Sequence, residues 1–341
     1  DARQWAKDPD TGQGSLPRRT RVAGRKYDSL SRGGGFVRPM IPRLAGVLFL
    51  LPAGLAAADL VFAEKSAWEV VSSDHQFAEG MAWDQEGNFY FTDVPRGHLF
   101  KVDRQTGTKT LLDGASGRAN GIAFGPDGRL YGCASGDRSI YAWDTKTGRK
   151  VAVAEGTQSN DLVVLRDGTI FYTEPAAKLV WRLAAGTFAR EVGAKLAWSP
   201  NGITVSPDQK TLLVAEFDSD TIHGFALGAD AKVTGGARPA YKLAVPSDTF
   251  GKLDGMMVLA DGRLLSGTAL GTQVARPVGT APDSGPLIVI PSPDGRPRCN
   301  YVRLSPDGAW LYAAYRADLL RRRVRPEFAG GTSPGSNRGQ P

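Results

Sequence analysis

Six residues able to offer a side-chain oxygen recur at a near-constant interval: Glu79, Asn120, Asn160, Asn201, Asp254 and Asn300. Each opens a twelve-residue segment of one pattern, from EGMAWDQEGNFY at Glu79 to NYVRLSPDGAWL at Asn300. Successive starts lie 41, 40, 41, 53 and 46 residues apart. Two carboxylates and four amides, with no His or Cys, make a hard-oxygen set. If the six positions converge, they are costly to desolvate unless something compensates them. One divalent cation does so. The set favours Ca²⁺, with Mg²⁺, Mn²⁺ or Zn²⁺ as alternatives. Any single Asn could equally cap a strand or bond an adjacent loop, and Asn120 and Asn300 are read closer to that role. Glu79 and Asp254 are not, because a cap needs no charge.

The repeat also says which elements must position these residues. Columns three to five are mainly apolar and read as a short strand. Column eight is always acidic (Glu86, Asp127, Asp167, Asp208, Asp261, Asp307), and column nine is Gly except for Gln209. That pair suits a tight turn, in which the carboxylate bonds local backbone and Gly accepts positive φ. Gly202, beside Asn201, is likewise expected to let the chain turn. A second strand follows the turn, and most copies add a third and a fourth run, such as His98 to Val102 and Lys109 to Leu112. Four short strands in about 40–45 residues is the size of a propeller blade. Six copies therefore predict an all-β, six-bladed β-propeller over residues 66–326, with a central metal site where the first columns meet. Trp68 to Ser72, ahead of the first copy, is expected to supply the outer strand that closes the ring on the sixth blade.

The 341 residues are 41% hydrophobic and include seven Trp and fourteen Phe, enough to fill a core. The formal charge of +7 belongs to the ends. Residues 1–39 hold nine Lys/Arg against four acids, and residues 316–341 hold six Arg against two acids. Without those ends and Arg43, 26 basic residues face 29 acidic ones. A slightly acidic body carries no electrostatic footprint for nucleic acid. Residues 40–58, MIPRLAGVLFLLPAGLAAA, read as a secretory signal: Arg43, an apolar stretch too short to span with Pro52 inside it, and an A-x-A site, with a second cut conceivable after Ala63. A periplasmic or secreted protein is expected, with residues 1–39 a disordered upstream extension and 327–341 a disordered tail. Cys133 and Cys299 have no metal-type spacing and read as buried free thiols. There is no H-E-x-x-H or phosphate loop. His75, His98 and His223 share no spacing with a nucleophile, so surface or turn roles are expected for them.

Six stretches carry a resemblance: FAEGMAWD (77–84), RANGIAFGPDGRL (118–130), SNDLVVLRDGTIFYTEP (159–175), SPNGITVSPD (199–208), LDGMMV (253–258) and RCNYVRLSPDGAWLYAAYRADLLRRRV (298–324). In order and spacing they resemble the SMP-30/gluconolactonase/LRE-like family. The resemblance implies one divalent cation in a propeller channel and hydrolysis of sugar lactones or related esters. It puts metal ligands on Glu79, Asn201 and Asp254. Asn160 sits beside the metal as ligand or substrate contact, and Asn120 is a second substrate-binding candidate. Water would attack a cation-polarised carbonyl, with Asp254 as the base and Asp161 as a weaker candidate. Two alternatives use the same scaffold: a phosphotriesterase-like hydrolase, and a non-catalytic secreted binding propeller with structural calcium. The expected partner is a small lactone or ester, with no nucleic acid, no membrane after signal removal, and a monomeric chain.

Overall fold

The computed structural model describes residues 60–246, 253–280 and 286–329. The expected extension 1–39, the signal 40–58 and the tail beyond 329 lie outside the described residues. Among the described residues the chain forms six four-stranded antiparallel sheets. The first strand of each repeat is the inner strand of its sheet: Ala78–Trp83, Ala119–Phe124, Leu162–Val164, Pro200–Val205, Leu253–Val258 and Tyr301–Leu304. Each inner strand packs beside the next, and the sixth packs back on the first. The result is a six-bladed propeller.

Local chemistry explains the repeated hairpin. Column nine has positive φ in every copy, at 85° in Gly87, 75° in Gly128 and 88° in Gly168. Gln209 adopts the same left-handed backbone at 58° without being Gly. After the first copy, where Asp84 takes the Asn88 N–H at 2.8 Å, the acidic column accepts the backbone N–H two residues on, from Arg129 to Asp127 at 3.2 Å, Thr169 to Asp167 at 2.8 Å and Lys210 to Asp208 at 3.1 Å. Neighbouring blades then bury their faces against each other. Met81, Phe89 and Phe91 of blade 1 pack on Tyr301 and Tyr312 of blade 6. Tyr131 and Ile140 of blade 2 pack on Leu162 and Tyr172 of blade 3. Each large apolar side chain so buried contributes about 1.5–3 kcal/mol.

The ring closes as the sequence predicts, one residue later. Glu69–Ser72 is the outer strand of blade 6 and pairs with Asp318–Arg323 through Glu69↔Arg321 and Val70↔Leu320. Trp68 instead sets its ring edge-on against Phe62 and Tyr315. The packed body also reaches past the expected bounds of 66 and 326. Val61, Phe62 and Phe328 are buried in one cluster with Leu311 and Leu320, and Phe62 bridges to Val324. Arg321 and Arg323 lie over Trp310, while Arg322 lies over Phe62. That alternation follows from the two-residue period of a strand.

His75 departs from its expected surface or turn role. It is buried at the closure, with Nε2 2.7 Å from Ser72 Oγ and Nδ1 3.3 Å from Asp93 Oδ2. Lys109 Nζ donates to the same Ser72 Oγ at 2.8 Å. Asp93 also accepts the backbone N–H groups of Gln76 and Phe77 and the Arg96 guanidinium. A Ser–His–Asp order can mark an activated nucleophile. Here Ser72 is 6% exposed and capped by Lys109, so the chain of bonds acts as a latch between the closing strand and blade 1.

Candidate functional site

The inner strands are irregular where the first-column residues sit. Strand register shifts between Glu79 and Met81, Ala119 and Ile122, Pro200 and Ile203, and Leu253 and Met256. Such bulges re-aim a side chain out of the regular pleat. A glycine follows the first column at each one: Gly80, Gly121, Gly202 and Gly255. Gly202 is not at a turn, and neither it nor Gly80 has positive φ. These glycines allow close approach instead. A Cβ on Gly80 would overlap the Asn120 carbonyl oxygen, and one on Gly202 would overlap that of Asp254.

Hydrogen bonds tie the first-column backbone of four blades to the preceding blade. Thr92 Oγ1 donates to the Asn120 carbonyl at 3.0 Å, and Gly121 N–H to that of Asn160 at 3.0 Å. Thr173 Oγ1 donates to the Asn201 carbonyl at 2.8 Å, and Gly255 N–H to that of Asn300 at 2.8 Å.

Three of the predicted ligands come into one another's field. Glu79, Asn201 and Asp254 are buried. Burial pushes the Glu79 carboxyl well above the ordinary range, and the Asp254 and Asp161 carboxylates push it further. Burial also pushes Asp254 up to about 6; Arg298 opposes this, Asp161 adds to it, and the Asn201 amide and Gly255 N–H oppose it. Asn201 donates through Nδ2 to the Leu253 carbonyl at 3.4 Å, which leaves its Oδ1 for a ligand. Asn120 and Asn160 lie half-buried in the same ring. Among the described residues, neither of their side-chain amides bonds to protein.

Asp161 differs from the expected weaker base. It is 2% exposed. Its Oδ1 accepts Leu162 N–H at 2.9 Å and Tyr301 O–H at 3.1 Å, and its Oδ2 accepts Ile203 N–H at 3.2 Å. This carboxylate ties blade 3 to blades 4 and 6. Asn300 is fully buried, and neither amide atom has a protein partner. A stranded buried amide costs about 1–3 kcal/mol unless water or a ligand meets it. Asn300 therefore belongs nearer the site than its sequence reading placed it. Sequence reasoning missed Arg298, whose Nη2 lies 2.9 Å from Asp254 Oδ2. The only available signal was a cation two residues ahead of a first-column residue.

The donor set suits a hard cation rather than zinc. Among the described residues no three His, Cys, Asp or Glu gather in metal-binding geometry. Two carboxylates with amide oxygens are what Ca²⁺ takes. Two surface cavities, of about 360 and 670 Å³, are lined by other residues, including Trp198 with Phe225 and Arg263 with Arg276, and contain none of the ring.

Residues 77–289 match the family model described as the SMP-30/Gluconolactonase/LRE-like region. The chain belongs to the SMP-30/gluconolactonase/LRE-like family. The match takes in five first-column residues, Glu79 through Asp254, and ends before Arg298 and Asn300. Family relatives include the gluconolactonase of Zymomonas mobilis subsp. mobilis, 27% identical over 296 residues, which are 75% of this chain and 81% of that one. Lactonase drp35 of Staphylococcus aureus (strain MRSA252) is 26% identical over 194 residues, 48% of this chain and 55% of that one. Among solved structures, a gluconolactonase from Xanthomonas campestris aligns with a TM-score of 0.67 at 24% identity, covering 80% of this chain and 94% of that one. A calcium-binding regucalcin from Agrobacterium tumefaciens aligns with a TM-score of 0.62 at 17% identity, covering 76% and 95%. The two structural likenesses bear on the fold alone.

Proposed function

We propose that this member of the SMP-30/gluconolactonase/LRE-like family is a divalent-cation-dependent hydrolase that opens a sugar lactone or related ester. The observation that carries the reading is the meeting of two buried carboxylates, Glu79 and Asp254, within a ring of amides. The relationship to the Zymomonas gluconolactonase supports the substrate class.

In this reading Glu79, Asn201 and Asp254 hold the cation, and Asn160 offers a fourth oxygen. The push of the Asp254 and Asp161 carboxylates on Glu79 fits a site built for a positive charge. When bound, a divalent cation supplies electrophilic polarisation of the lactone carbonyl and charge to balance the oxyanion. Glu79 contributes charge and no proton transfer. Asp254 accepts the proton of the attacking water. Asn120 and Asn160 bond the substrate through amides that protein does not use. Ca²⁺ is the favoured ion on donor chemistry. A periplasmic or secreted site of action rests on residues 40–58.

The experiment is lactone opening followed by pH-stat on chelated protein, with Ca²⁺, Mg²⁺, Mn²⁺ or Zn²⁺ restored in turn. Activity is expected to disappear with EDTA and return with a cation, and Asp254→Asn is expected to abolish it while the circular dichroism spectrum is kept. Turnover that survives both treatments rules the proposal out.

A further inference from the structure

Buried charges in the ring do not balance evenly. Glu79, Asp161 and Asp254 are three buried carboxylates. Arg303 serves Asp161 indirectly: its Nη2 donates to Tyr301 O–H at 3.0 Å, that hydroxyl donates to Asp161, and its Nη1 is spent on the Met256 carbonyl at 2.8 Å. Arg298 serves Asp254 directly, from Nη2 to Oδ2 at 2.9 Å. Among the described residues Glu79 has no guanidinium of its own and lies in the field of Arg298.

The Arg298–Asp254 pair is not a surface ion pair. The two side chains are 25% and 12% exposed. The guanidinium carbon sits 5.9 Å from the Phe217 ring centroid, and Nε is buried with no partner. A planar fork held on one face by an aromatic ring and at one corner by a carboxylate has little freedom to turn away. The bond occupies Asp254 Oδ2 and leaves Oδ1 for another ligand. Arg298 can therefore stay in place when a cation binds, and its charge then acts on that cation at close range.

We propose that Arg298 is the built-in counter-charge of the Glu79–Asp254 pair, stabilising the cation-free propeller and holding divalent-cation affinity below what the oxygen set alone would give. The proposal rests on the reading of Glu79, Asn201 and Asp254 as a cation site. Two like charges buried together need compensation, and Arg298 supplies part of it before any metal arrives. The same positive charge repels an incoming dication. A residue that only oriented Asp254 would strengthen the empty and the loaded states together. A counter-charge must affect them in opposite directions.

The test uses the whole chain as wild type, Arg298→Lys, Arg298→Met, Asp254→Asn and Arg298→Met/Asp254→Asn. Ca²⁺ binding is read by titration calorimetry and thermal unfolding is followed in EDTA. Arg298→Met is expected to melt several degrees lower in EDTA, yet to bind Ca²⁺ about tenfold more tightly through lost repulsion. Arg298→Lys should fall between it and wild type. Ca²⁺ affinity that is unchanged or weaker in Arg298→Met overturns the proposal. If wild type binds none of Ca²⁺, Mg²⁺, Mn²⁺ and Zn²⁺, the cation reading fails by itself. The counter-charge is then decided in EDTA: Arg298→Met must cost stability against wild type but not against Asp254→Asn. An equal cost in both backgrounds overturns it.

Discussion

Replacing Asp161 by Asn should weaken the fold and spare the chemistry. The aspartate accepts three hydrogen bonds, from Leu162 N–H, Tyr301 O–H and Ile203 N–H, at 2.9, 3.1 and 3.2 Å. Asparagine keeps one acceptor oxygen. If that oxygen stays with Leu162 and Tyr301, the new NH₂ faces the Ile203 N–H, donor against donor. A bond to a charged acceptor contributes about 1.5–3 kcal/mol, and a stranded buried N–H costs about 1–3 kcal/mol. Against this, burial already holds the Asp161 carboxyl above the ordinary range, so neutralising it recovers part of the desolvation cost. The net loss is about 1–3 kcal/mol. At about 2–4 °C per kcal/mol for a domain of this size, Tm falls by about 2–12 °C. Circular dichroism melts in EDTA at one scan rate measure this, and the lactone assay should stay within about threefold of wild type, since no proton transfer is assigned here. An unchanged Tm with turnover reduced a hundredfold or more would refute the reasoning and make Asp161 the base.

Gly202→Ala should push a methyl group into the Asp254 carbonyl, costing about 1–3 kcal/mol as overpacking and weakening Ca²⁺ binding by calorimetry. Unaltered affinity would mean that the bulge does not set the ligand geometry. Asp93→Asn should release the latch at the ring closure, with a pH signature. Burial pushes the Asp93 carboxyl up, but hydrogen bonds from His75, Phe77 and Gln76 outweigh it and hold the value below the ordinary 3.8. Its stabilisation is therefore present above about pH 4 and is lost as pH falls through the lowered value. Urea midpoints of wild type and Asp93→Asn should differ at pH 7 and pH 5 and converge toward pH 2; a gap that persists at pH 2 contradicts the assignment.

The fold was legible because it repeats. Column nine and its acidic neighbour announce the same hairpin in each blade, down to Gln209 holding the glycine conformation. The closing strand could be read because one blade lacked a fourth strand and one unclaimed strand preceded the first repeat. The ring of first columns followed from register. Contacts that cross the ring between residues of unlike type left no periodic trace. Tyr301 reaches Asp161 across 140 residues and Arg298 reaches Asp254 across 44. His75 looked like a loop residue because Asp93, Phe91 and Phe100, which pack on it, lie in other strands. Gly202 looked like a turn because its reason for being glycine, the Asp254 carbonyl, belongs to the next blade. The bounds 66 and 326 fell short because Val61, Phe62 and Phe328 pack by side-chain contact outside any repeat.

The claim that Glu79 and Asp254 form one cation site is tested most directly by elemental analysis of protein purified without chelator. Wild type should carry one divalent cation per chain, and Glu79→Gln/Asp254→Asn should carry none while melting as a folded protein. A wild-type chain with no bound divalent cation, or a double variant that keeps the full complement, would contradict it.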